Sequence, residues 1–152
     1  MRNATNILAC KFGGTSVKDD LRILHVRNKI IRRDRRRRAI VVSAPAGVTN
    51  QLIEWVERFT RPVEPSKDYI LDGIRDRFIE MVRGLGLSLD INAMFREIRA
   101  HCEDLRTRGK NHALYNYAVS RGEWANGQIV AAALDFEFVD ALRFIVVDHK
   151  GH

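Results

Sequence analysis

Apolar and polar positions along the chain switch between a period of two and a period near 3.6. Residues 6–10 (NILAC) form a short apolar run that predicts a buried strand, followed by a tight turn at Gly13-Gly14. Asp19 or Asp20 can cap a helix with Leu21, Leu24, Ile30 and Ile31 on one face. Residues 39–43 (AIVVS) predict a second buried strand, closed by Pro45. Continuous apolar runs of this kind fit parallel strands covered on both faces. Strand, helix, strand in this order make a βαβ unit, whose crossover is expected to be right-handed.

Downstream the pattern is helical. Gly47-Val48-Thr49-Asn50 reads as a loop, with Thr49 or Asn50 capping a helix over 51–60 that ends at Pro62 and Pro65. Ser66 can cap a helix running to Arg83, and Gly84 and Gly86 break it. Residues 90–106 are strongly amphipathic, with Ile91, Met94, Phe95, Ile98, Cys102 and Leu105 at helical spacing. A polar turn over 107–111, a short helix over 113–119, a helix over 123–134 and a last strand over 142–147 complete the prediction. No internal repeat or linker divides the chain, so the pattern describes one α/β domain.

Composition supports a globular fold. The 152 residues are 45% hydrophobic and 30% charged, enough to build a core. No apolar run approaches the roughly 20 residues of a membrane span, and no secretory leader is recognisable. Two cysteines, Cys10 and Cys102, are too few for a disulfide scaffold and point to a reducing, cytoplasmic setting. The five histidines show no metal-ligand spacing with them, so no metal site is expected. The net charge of +7 draws attention to 32–38, where six of seven residues are arginine. Clustered arginine suits a nucleic-acid backbone, but this run falls where a helix should hand over to a strand. It has no interleaved aromatics, and arginine at a helix C-terminus complements the macrodipole. It reads as a solvated turn, and no nucleic-acid or membrane partner is expected.

Candidate chemistry lies in three polar, glycine-bearing segments beside strand ends or helix starts, where open α/β sheets bind ligands. In the first, Lys11-Phe12-Gly13-Gly14-Thr15-Ser16, paired glycines allow backbone N–H groups to approach an anion. Lys11 adds a mobile positive charge, and Thr15 and Ser16 add hydroxyl donors. The lysine precedes the glycines, so this is not a Walker A loop. The second, 43–50, offers the hydroxyls of Ser43 and Thr49. In the third, Ser120-Arg121-Gly122-Glu123, the carboxylate would open a helix, a place favourable on dipole grounds alone.

With all three in this order, the chain resembles the N-terminal part of the aspartate kinases, in the amino-acid kinase superfamily. The KFGGTS string, the VVSA and GVTN strings and the SRGE string carry the resemblance, which runs over about 7–148. It implies a three-layer α/β/α sandwich around a mainly parallel sheet. It also implies transfer of the γ-phosphoryl group of Mg-ATP to the side-chain carboxylate of L-aspartate, giving 4-phospho-L-aspartate on the way to lysine, threonine and methionine. Carried over, Lys11 would be catalytic and contact the transferring phosphate. Gly13, Gly14, Thr15 and Ser16 would bind phosphate, and Ser43, Thr49 and Glu123 would line the aspartate pocket.

The sequence departs from the family at Asn126-Gly127, where a Ser-Ala pair is common, and at Phe138, where a glycine usually ends the preceding helix in a left-handed cap. By the same resemblance a nucleotide-binding half and ACT regulatory domains would lie beyond 152. The chain is therefore expected to be a fragment, inactive alone and prone to self-association through unpartnered apolar surface. The rival expectation is a non-catalytic binding or assembly module that keeps this fold.

Overall fold

A computed structural model describes residues 7–33, 38–61 and 68–143. Two parallel strands, β1 (Leu8–Phe12) and β2 (Arg38–Val42), pair with Leu8 opposite Arg38 and Phe12 opposite Val42. Between them runs α1 (Asp20–His25), which continues as a π-helical stretch, Val26–Ile31. Asp19 caps α1, its carboxylate accepting from the Arg22 N–H at 2.8 Å. Arg32 and Arg33 lie exposed just beyond the π-helix and Arg38 opens β2, as a helix-to-strand handover requires. The rest of the arginine run lies outside the described residues.

Four helices follow: α2 (Val48–Phe59), α3 (Tyr69–Gly84), α4 (Ile91–Thr107) and α5 (Asn111–Leu134). The core is one apolar cluster whose largest fully buried side chains include Trp55, Phe78, Ile98, Leu114 and Ile129. Trp55 tilts against Phe59 with ring centroids 4.9 Å apart, and Phe78 against Phe95 at 5.8 Å. Helix α5 touches α2, α4 and β2 and so ties the helices to the sheet.

The α/β class and the βαβ start are as expected, but several boundaries differ. Both strands are shifted: β1 reaches Phe12, and β2 starts at Arg38 and stops at Val42. Only alternate strand residues are covered; Ala9, Lys11, Ala39 and Val41 face out, so among the described residues helices cover one face of the sheet. The expectation of strands buried on both faces is met on one face only among the described residues; the other carries Ala9, Lys11, Ala39 and Val41, the last 58% exposed although apolar. Helix α2 starts at Val48, with Gly47 in the N-cap position at φ +88°, so Thr49 and Asn50 are helical rather than caps. Pro62, Pro65 and Ser66 lie outside the described residues. Helix α4 is close to expectation, with Asp90 as its cap, accepting from the Ala93 N–H at 2.8 Å. The two helices expected over 113–119 and 123–134 are one. Leu142 and Arg143 belong to a short 3-10 turn, Ala141–Arg143, rather than to a strand; the remainder of that strand lies outside the described residues.

The end of α5 also resolves the family departures. A left-handed cap is present, but Asp135 supplies it, at φ +59° and ψ +50°. Asp is among the few non-glycine residues that adopt this conformation readily. Beyond it the chain folds back and lays the Phe138 ring against Gly127, where a Cβ would stand 2.9 Å from the ring. Phe138 and Gly127 thus compensate each other. Gly127→Ala is expected to cost up to about 2 kcal/mol, overpacking of the ring being partly offset by the roughly 1 kcal/mol that alanine gains over glycine inside a helix. Adding Phe138→Ala should return part of that loss, and denaturant melts of the double-mutant cycle would show the coupling.

Cys102 is fully buried in α4. Burial pushes its thiol from 9.0 up to about 12, only partly offset by the Arg121 guanidinium. The folded thiol stays neutral where the unfolded one ionises. Its contribution to stability is whole below pH 9 and falls as pH rises toward 12. At pH 8, a thiol reagent should modify Cys10 well before Cys102 in the folded protein, and the two alike in denaturant.

Candidate functional site

The three segments chosen from the sequence meet at one end of the sheet. Lys11 is the fourth residue of β1, not the start of a loop, and it projects from the exposed sheet face. Its Nζ folds over the turn, 3.7 Å from where a Gly13 Cβ would be. The turn is closed by Ser16 N–H donating to the Gly13 carbonyl at 2.9 Å. Among the described residues, the N–H groups of Gly13, Gly14 and Thr15 enter no backbone hydrogen bond. Three successive donors beside an ammonium group form the kind of concavity that holds an anion. Thr15 and Ser16 are exposed beside it.

The second segment is bonded to the first. Ser43 N–H donates to the Phe12 carbonyl at 3.2 Å, and Ala46 N–H to the Gly14 carbonyl at 3.2 Å. The contact is too close for a side chain at Gly14: a Cβ would lie 2.6 Å from the Ala44 carbonyl oxygen. Ser43 and Thr49 are both half-buried, one at the end of β2 and the other in the first turn of α2.

The third segment differs most from expectation. Ser120-Arg121-Gly122-Glu123 sits in the middle of α5, so Glu123 does not open a helix and owes nothing to a helix N-terminus. Gly122 is what joins this helix to the site. A Cβ there would meet the Ala44 methyl at 2.9 Å and Val48 at 3.0 Å. Glu123, next in sequence, is exposed. Arg121 turns the other way: it is buried between the rings of Tyr117 and Trp124, at 4.4 and 5.3 Å, and donates to the Ser120 hydroxyl at 3.0 Å. Burial raises the Tyr117 phenol pKa, with Arg121 opposing.

Two residues that sequence reasoning missed hold these segments in place. Arg77 of α3 donates to the Ala46 carbonyl at 2.9 Å and to the Lys18 carbonyl at 2.8 Å, bridging the loops after β1 and β2. Asn126 of α5 donates to the Ser43 carbonyl at 2.7 Å. Both act over long sequence separations: nothing local marks Arg77, and Asn126 stands out in the sequence only as a departure from the family, with no role attached. Two clefts of about 200 and 300 Å³ lie elsewhere, between α3 and α4 and beside Asp19, Asp20 and Arg77. Ser43, Thr49 and Glu123 line neither. Geometry and donor chemistry, rather than cavity size, mark the site. Arg77→Ala is expected to cost about 1.5 kcal/mol locally, roughly tenfold faster amide exchange at Ala46, with α4 little changed.

No family model matches the chain. An aspartokinase of Chlamydia trachomatis serovar D is 37% identical over 105 residues, 69% of this chain and 23% of the relative. The crystal structure of Clostridium acetobutylicum aspartate kinase matches with a TM-score of 0.70 at 28% identity, over 90% of this chain and 30% of that one. E. coli aspartokinase III in complex with aspartate and ADP matches at 0.68 and 28% identity, over 86% of this chain and 29% of that one. The same enzyme with lysine and aspartate matches at 0.61, over 86% and 30%. The resemblance to aspartate kinases is therefore borne out in sequence and in fold, and the chain spans 23–30% of the length of these proteins.

Proposed function

From this kinship with the aspartate kinases, we propose that the chain is the aspartate- and phosphate-holding part of such an enzyme, one that transfers the γ-phosphoryl group of ATP to the side-chain carboxylate of L-aspartate. The observation that carries the reading is the convergence of three sequence-distant segments on Ala44. The turn 13–16, the loop after β2 and the middle of α5 lie within van der Waals contact there. The E. coli relative was crystallised with aspartate and ADP, which fits a site for an amino acid beside a site for phosphate.

The chemistry asks little covalent work of the protein. The aspartate carboxylate is already ionised at neutral pH and needs no general base. The obstacle is bringing two anions into line and offsetting their repulsion. Lys11 places its ammonium group over the glycine turn, where the incoming γ-phosphate would lie. The N–H groups of Gly13, Gly14 and Thr15 supply fixed donors to the same oxygens, with the Ser16 hydroxyl beside them. Ser43 and Thr49 offer hydroxyls to the substrate, and Glu123 accepts from its ammonium group. ATP would arrive with magnesium on its phosphates.

The reading predicts that L-aspartate binds the 152-residue chain. In calorimetric titrations Glu123→Gln should weaken that binding by about 10- to 100-fold, the worth of a charge-assisted hydrogen bond. Lys11→Ala should leave aspartate affinity within about twofold while lowering affinity for ADP. Aspartate binding that Glu123→Gln leaves unchanged would refute the assignment of that residue to the pocket.

A further inference from the structure

The sequence pattern puts Leu21, Leu24, Ile30 and Ile31 on one helix face, and the structure splits them. Ile31 is buried, Leu24 is half-buried, and Leu21 and Ile30 are 72% and 42% exposed. At about 100° per residue, a regular helix would set Ile30 opposite Leu21. The π-helical stretch Val26–Ile31, with its wider i→i+5 turn, brings Ile30 round to the Leu21 side and sends Ile31 into the core. The residues around these two aliphatics are basic. Arg22, His25, Lys29, Arg32 and Arg33 are all exposed, and 21–33 contains no Asp or Glu. Arg27 turns back to the Ala133 carbonyl at 3.4 Å. The side chains of Arg22, Lys29, Arg32 and Arg33 enter no ion pair or hydrogen bond among the described residues. Surface arginines on the later helices are different: Arg58 pairs with Glu54, Arg75 with Asp72 and Arg108 with Asp104.

We propose that this outward face of α1 and the π-helical stretch is a docking surface for an acidic amphipathic helix of another protein. Four cations without a counter-charge call for carboxylates, and the exposed Leu21 and Ile30 call for apolar side chains among them. The two aliphatics stand about two turns apart, the spacing of apolar residues at i and i+7 on a partner helix. A nucleic-acid backbone would use the cations but leave Leu21 and Ile30 without a partner, and no aromatic ring is interleaved for stacking. A bilayer-surface helix buries a continuous apolar face in lipid. Here the continuous face, with Ile23, Val26 and Ile31, is in the core, and two aliphatics separated by His25 and Lys29 face out. A second copy would set like charges against each other. None of the groups assigned to aspartate or phosphate lies on 21–33, so the surface is separate from that site.

The test is calorimetric titration of the 152-residue chain with three synthetic helical peptides. One carries leucines at i, i+3 and i+7 with glutamates beside them; the second has serine for each leucine, and the third glutamine for each glutamate. The first should bind the wild type one to one. The third peptide, or the charge reversal Arg22→Glu with Lys29→Glu, should bind at least tenfold more weakly. The second peptide, or Leu21→Ser with Ile30→Ser, should lose at least fivefold although every charge on the chain is kept. All four substituted side chains are exposed, and circular dichroism checks that each variant is folded. Should a double variant not fold, Lys29→Glu and Ile30→Ser singly should each lose at least threefold. Loss on charge reversal alone, with the Leu21 and Ile30 variants unchanged, would make the face a general polyanion attractor and overturn the proposal. So would no binding of the first peptide. Tighter binding to vesicles of about 30% phosphatidylserine, or to a DNA duplex of about 20 base pairs, would overturn it in favour of lipid or nucleic acid.

Discussion

Ala44 is held from two sides. Its carbonyl lies against Gly14 and its methyl against Gly122, at distances that leave no room for a Cβ on either glycine. The carbonyls flanking it are bonded outward, Ser43 to Asn126 and Ala46 to Arg77. A short stretch after β2 is therefore fixed by β1, α3 and α5 together. Close-packed interiors do not deform continuously, so the turn at 13–16, the start of α2 and the middle of α5 must sit in one mutual arrangement. Lys11 near the end of β1 and Ser43 just after β2 lead into these elements, and every other group assigned to the site belongs to one of the three.

This clamp changes what Glu123 can mean. A carboxylate at a helix start is explained by exposed N–H groups and the macrodipole. Glu123 stands a dozen residues into an uninterrupted helix, where neither is available. It is exposed, beside a glycine packed onto Ala44 and three residues from an amide bonded to Ser43. The capping explanation lapses, and among the described residues the carboxylate enters no ion pair.

The parts of the structure that were legible in the sequence are those governed by local rules. Helix α4 shows its period in Ile91, Phe95, Ile98 and Cys102 and its start in Asp90. The glycine turn after β1 and the helix-to-strand placement of the arginine run were equally plain. Helix α5 was not, and the reason is physical. It packs on α2, α4 and β2, so its apolar positions do not form one stripe. Gly122, which normally weakens a helix by about 1 kcal/mol and reads as a break, is there for close approach. The left-handed cap at Asp135 was missed because a glycine was expected and Asp serves instead. The roles of Arg77 and Asn126 were not legible because each acts on a loop far away in sequence; Asn126 stood out only as a departure from the family. The site could be named from three motifs; the struts that hold it could not.

The same distinction applies to charge. Several arginines are spent on carbonyl oxygens and rings: Arg77 on Ala46 and Lys18, Arg27 on Ala133, Arg38 on Ile30, Arg121 on Tyr117 and Trp124. Others pair with carboxylates one turn away, as Arg75 does with Asp72 and Arg108 with Asp104. Guanidinium is suited to this, with five donors in a rigid fork. Lys11 is different in kind. It has a single mobile ammonium, no ion pair among the described residues, and a position over a turn whose N–H groups bond no backbone oxygen. Net charge conceals that difference, and the position of each cation reveals it.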